Sequence, residues 1–122
     1  MKQVRFILVA ILAVSFCAAA TPIGKSSDSK WEQAKKAYIT LLNYDNPGVK
    51  ASAANHIRKY RITEAEGSLK EVLACDNCET VKIAAALALI EVSGDEGYRI
   101  IREALKTEEN EMVAAFYRSV LQ

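Results

Sequence analysis

Cys75 and Cys78, in the run Cys75-Asp76-Asn77-Cys78, are the residues whose type and spacing most directly suggest chemistry. Such a pair can be a structural disulfide, a redox dithiol or part of a zinc site. Zinc needs four ligands. The sequence holds no second Cys-x-x-Cys, and its single histidine, His56, falls in another part of the pattern described below. Redox dithiols of this spacing usually sit where a strand meets a helix, and nothing in this sequence reads as strand. The reading preferred here is a Cys75–Cys78 disulfide pinning a turn, worth at most about 2 kcal/mol because the loop it closes is so short. The alternative is a thiol-disulfide or redox-sensing role for the same two residues.

Other catalytic signatures are missing. There is no Gly-x-Ser-x-Gly elbow, no phosphate-cradling Gly-x-x-x-x-Gly-Lys and no Gly-x-Gly-x-x-Gly, and the five glycines are scattered. Glu108, Glu109 and Glu111 read as a solvated turn rather than as a carboxylate pair for acid–base work. The sequence therefore points to no enzyme, no cofactor and no metal.

Composition sets the frame for those residues. At 51% hydrophobic and 25% charged, with two prolines, the chain is globular and poor in helix breakers. Lys2 and Arg5 precede an apolar run from Phe6 that ends in Ala18-Ala19-Ala20. This is the order of a cleavable signal peptide over residues 1–20. The run is too short for the roughly 20 apolar residues that a spanning helix needs. Export to the periplasm or medium follows, with a lipoprotein anchored at Cys17 as the alternative. Phe16 before that cysteine argues against the anchor, because lipoprotein signals want a small residue there. Removing residues 1–20 leaves 14 basic and 15 acidic side chains, a net charge of −1, which offers no broad attraction to nucleic acid. It also leaves Cys75 and Cys78 as an even pair in an oxidising compartment, which favours the disulfide.

Residues 21–30 carry no apolar period and read as a flexible polar lead-in. After them the chain repeats with one fixed step, the distance from Ala37 to Leu69. Ala37, Leu69 and Ile101 form one column; Leu41, Leu73 and Leu105 a second; Val49, Val81 and Val113 a third; Ile57, Leu89 and Leu121 a fourth. Within a copy the apolar positions run at i, i+3, i+4 and then at i, i+4, i+8, so each copy is a pair of helices. The copies span about 31–60, 63–92 and 93–122. Ser29-x-x-Glu32, Thr63-x-x-Glu66 and Ser93-x-x-Glu96 match capping boxes at the first helices. Asn46-Pro47 matches an N-cap followed by a first-turn proline at a second helix. In the same register, Cys78 takes the N-cap position of Asn46 and Asn110.

The segments Val49-Lys50-x-x-Ala53-Ala54 and Val81-Lys82-x-x-Ala85-Ala86, with the looser third copy at residues 109–121, resemble HEAT-like repeats of the short bacterial type. The resemblance covers roughly residues 31–121. It implies an all-α fold, a right-handed α-solenoid of three helical hairpins after the signal peptide, acting as a non-enzymatic scaffold for protein–protein interaction. No residue here separately supports bilin attachment, which some relatives of that type carry out.

Two surfaces suggest where an unidentified protein partner would bind. Lys50, Ala54 and Arg58, then Lys82, Ala86 and Ile90, then Ala114, Arg118 and Gln122 would align into a weakly basic ridge if the copies stack. Met112, Phe116 and Val120 form a second apolar stripe on the last helix, open to self-association or to packing on the helix before it. Helix 79–91 is apolar nearly all round and suits a middle helix covered on both sides.

Overall fold

The period of the apolar columns becomes six α-helices in the structure, a computed structural model that describes residues 23–122. The signal peptide, Cys17 and the start of the lead-in lie outside the described residues. The helices are α1 (Ile23–Leu41), α2 (Pro47–Tyr60), α3 (Glu66–Cys75), α4 (Glu79–Ser93), α5 (Asp95–Leu105) and α6 (Glu111–Val120). A 3₁₀ turn at Thr63–Ala65 leads into α3, and no strand occurs among the described residues. The fold is all-α. The compact unit that holds the contacts described below runs from Glu32 to Gln122.

The apolar columns are the core. Leu69, Ile101, Leu73, Val81, Val113, Ile57 and Leu89 are buried, while Leu41, Val49, Leu105 and Leu121 are only half-buried. Ala37 is exposed, so the first column loses its first member. α4 packs against α2, α3, α5 and α6, and its buried side chains are mostly small: Ala84, Ala85, Ala86 and Ala88 beside Val81 and Leu89. Small side chains let four neighbours approach one helix closely, and this is why α4 carries almost no polar face. The middle-helix expectation holds.

The helix starts divide into those the sequence had right and those it had not. Asn46 caps α2, its side-chain oxygen accepting from the Val49 N–H at 3.2 Å, with Pro47 in the first turn. Asn110 caps α6 in the same way, accepting from Met112 and Val113. None of the three capping boxes forms. α1 already runs from Ile23, so residues 23–30 are helical and Ser29 lies inside the helix; extending a nucleated helix by a turn costs little. Glu32 instead pairs with Lys35 one turn on. Thr63 opens the 3₁₀ turn without a side-chain cap, and Ser93 ends α4 and donates to Glu66 at 2.6 Å.

The passage from α4 to α5 is tightly packed. Gly94 has φ +52° and ψ −124°, a conformation costly for any residue with a Cβ. One turn later, a Cβ added at Gly97 would lie 2.3 Å from the Leu89 carbonyl oxygen, so α5 crosses the end of α4 with no room for a methyl group. Gly97→Ala is expected to lower stability by about 1–3 kcal/mol through overpacking. Gly67→Ala, at an exposed helical site where an added Cβ meets nothing, should raise it by about 0.4–1 kcal/mol. Urea unfolding of the two variants checks both signs.

Candidate functional site

The polar residues that matter most join one hairpin to the next. Lys50 on α2 donates to Asp76 Oδ2 at 2.7 Å, and one repeat further on Lys82 on α4 donates to Glu108 Oε2 at 2.7 Å. The second oxygen of each carboxylate is also engaged. Asp76 Oδ1 accepts from the Cys78 N–H at 2.8 Å, and Glu108 Oε1 accepts from the Asn110 N–H at 2.9 Å. Each carboxylate thus ties a lysine from the preceding hairpin to the N-cap residue of its own second helix. At the later junction Asn110 Nδ2 also donates to Glu79 at 2.7 Å.

Both pairs are largely withdrawn from solvent. The Glu108 side chain is 4% exposed and Lys82 14%, against 9% for Asp76 and 24% for Lys50. Burial alone would push both carboxyls up. The lysine ammonium and the backbone N–H outweigh it and hold Asp76 and Glu108 below the usual carboxylate range. The bond to Asp76 likewise holds Lys50 above the usual lysine value. These depressed carboxyls stabilise the fold fully above their unfolded values near 4, and that stability is lost as pH falls through their folded values. Lys50 works in the opposite sense, its contribution being lost only as alkaline pH rises through its raised value.

Each junction opens beside its ion pair into a groove. The first, about 240 Å³, is lined by Leu42, Asn43, Lys50, Glu71, Val72, Cys75 and Asp76. The second, about 230 Å³, is lined by Lys70, Leu73, Ala74, Lys82, Arg99, Ile100, Glu103, Ala104, Thr107 and Glu108. Moving Leu42, Lys50, Glu71, Val72, Cys75 and Asp76 forward by one repeat gives Ala74, Lys82, Glu103, Ala104, Thr107 and Glu108. The two grooves are one site built twice. Each sets apolar wall beside a lysine donor and two carboxylate acceptors.

These placements change the reading of the sequence-predicted residues. The proposed ridge is in part a seam: Ala54 and Ala86 are buried and Lys50 and Lys82 are bound to carboxylates of the turn that follows in the next copy, while Ala114 on the last helix is buried as well. Arg58 is exposed, and Arg118 is exposed and paired with Glu111 at 3.0 Å. Glu108 is no solvated turn residue; Glu109 and Glu111 are exposed. In the C-terminal stripe Met112 is 64% exposed, but Phe116 and Val120 are half-buried against the core, so the stripe presents little apolar surface.

The disulfide is also corrected. Cys75 and Cys78 are free thiols, Cys75 exposed at the end of α3 and Cys78 half-buried against the core. The turn they were expected to pin is held by Asp76 instead, through its bonds to Lys50 and to the Cys78 amide. Among the described residues no group of three or more His, Cys, Asp or Glu is placed to hold a metal. His56 directs Nδ1 at the Ser52 carbonyl and stacks on Tyr38 with ring centroids 5.0 Å apart.

The sequence reading missed the two ion pairs. A signal was present: Lys50 and Lys82 occupy the same place in successive copies, and each has an acid at the same distance ahead, Asp76 and Glu108. Tyr117 is fully buried in the copy whose equivalents are Ala53 and Ala85, and its hydroxyl has no hydrogen-bond partner. Burial and the nearby Glu108 charge push its ionisation far above the usual range.

Comparison with protein-family models, with curated proteins and with solved structures finds no match to this chain. No helix among the described residues is long and apolar enough to cross a membrane.

Lys82→Ala is expected to cost about 1–3 kcal/mol, because Glu108 is left buried without its ammonium partner. Lys50→Ala, at the more exposed pair, should cost less. The Lys82 effect should shrink in acid once Glu108 takes up a proton, which urea titrations at neutral and acidic pH would show. Tyr117→Phe should raise stability by about 1 kcal/mol by removing an unbonded buried hydroxyl, measured by the same unfolding curves.

Proposed function

We propose that this chain is an exported, non-enzymatic scaffold built of HEAT-like hairpins stacked as a right-handed α-solenoid, and that it binds an extended segment of a protein partner along its junction grooves. The observation that carries the reading is the equivalence of the two grooves. A surface that presents the same mixture of apolar wall, ammonium and carboxylate at a fixed interval suits a ligand that repeats along its own length, as a polypeptide backbone does. Peptide groups need both donors and acceptors, and each groove supplies both. The contacts of α2 with α4 and of α4 with α6, together with that of α3 with α5, support the stacked arrangement. Export is supported by the order of Lys2, Arg5, the apolar run and the alanine triplet, and it places the partner outside the cytoplasm.

Ala74 offers the cleanest test, since it is exposed, helical and on the wall of the second groove. Immobilised chain should retain a polypeptide from an extract of the cells that make it, and Ala74→Arg should reduce that retention at least tenfold with an unchanged melting temperature. Equal retention by Ala74→Arg and by the unaltered chain would overturn the groove as the binding surface.

A further inference from the structure

The two junctions share their clamp but not the residues around it. Glu108 follows Thr107, and the N-cap two residues on is Asn110; Asp76 follows Cys75, and the N-cap two residues on is Cys78. One thiol is exposed and the other is half-buried against the core. Between them sits the carboxylate that holds Lys50 with one oxygen and the Cys78 amide with the other.

We propose that Cys75 and Cys78 form a redox site for a disulfide-bearing oxidant, and that its oxidation releases Lys50 from Asp76 and loosens the first junction while leaving the second intact. The exposed Cys75 reacts first, its thiolate attacking one sulfur of the oxidant and expelling the other as a thiol. Cys78 then attacks the Cys75 sulfur of the mixed disulfide and expels the second oxidant thiol. Two S–H bonds of the protein are replaced by one S–S bond, and the oxidant's S–S bond is reduced to two thiols that take up both protons and both electrons.

Geometry couples this reaction to the clamp. A disulfide fixes its two Cβ atoms about 3.8 Å apart, and in the proposed reaction Cys78 is the residue that moves, off the core toward the exposed end of α3. Asp76 lies inside the closed ring. Its backbone, extended at φ −81° and ψ 142°, is set so that one oxygen reaches back to Lys50 and the other forward to the Cys78 amide. Moving Cys78 moves the amide that fixes the carboxylate, and the lysine loses its acceptor. The first groove, which Cys75, Asp76 and Lys50 all line, changes with it. The proposal does not rest on the grooves binding anything, because it is read from stability rather than from capture.

The test uses the full chain carrying Cys17→Ser, so that only this pair can react, with oxidised glutathione as the oxidant. Oxidation should remove two hydrogens from the protein mass, leave no glutathione attached, and reverse with dithiothreitol. Lys50→Ala should lower the melting temperature of the dithiol form and leave that of the disulfide form unchanged, whereas Lys82→Ala should lower both equally. Should Lys50→Ala fail to fold, amide exchange at Cys78 in the unsubstituted chain gives the same reading, faster in the disulfide form. An equal Lys50→Ala effect in both forms, unchanged exchange at Cys78, glutathione retained on Cys75, or no reaction would each overturn the proposal.

Discussion

The junctions of this fold rest on a lysine from one hairpin bonded to a carboxylate in the turn of the next. Apolar burial supplies the gross driving force, in a core made largely of alanine, leucine and isoleucine. The ion pair adds a directional contact at each junction. Each carboxylate has two oxygens and uses one across the junction and one within its own turn, so the lysine, the turn and the start of the second helix are fixed together. A buried pair of this kind is weak evidence for stability, because desolvation offsets much of the attraction. What distinguishes the pair here is its geometry, which returns one period later with the same atoms engaged.

Both ends of the series lack their half of the bridge. The first turn carries Tyr44 where the later turns carry Asp76 and Glu108, and Tyr44 is exposed. The last helix carries Ala114 where the earlier ones carry Lys50 and Lys82, and its outer side holds the Arg118–Glu111 pair instead. Tyr117 likewise departs from the period, occupying an alanine position in the last copy. A bulky ring fills volume there at the cost of a hydroxyl with no partner.

The grooves are a by-product of this construction. Where two hairpins meet along a line of small residues and are held apart by a long lysine and a carboxylate, space remains beside the pair, and it recurs wherever the junction recurs. The first junction differs from the second mainly in its two thiols, which bracket the bridging acid. Turn chemistry, groove and inter-hairpin bond therefore share Asp76, so a change at one reaches the others through a single side chain.

The sequence by itself determined the all-helical character and much of the core, because apolar positions that recur at i, i+3, i+4 admit few other arrangements. It also determined the Asn46 and Asn110 caps, which depend only on a side chain and the backbone just after it. The tertiary structure alone decided the fate of the charged residues. Lys50 and Lys82 looked like surface cations and Glu108 like a solvated turn, since a sequence shows spacing along one helix but not which of its sides the next hairpin will cover. The capping boxes failed for a related reason: Ser93 is the last residue of α4 and Gly94 takes the cap position of α5, and α1 simply extends past Ser29. The turn at Cys75–Cys78 was legible as a turn, but that Asp76 rather than a disulfide holds it depends on Lys50, which stands in the preceding hairpin and comes within bonding distance only by the packing of α2 on α4.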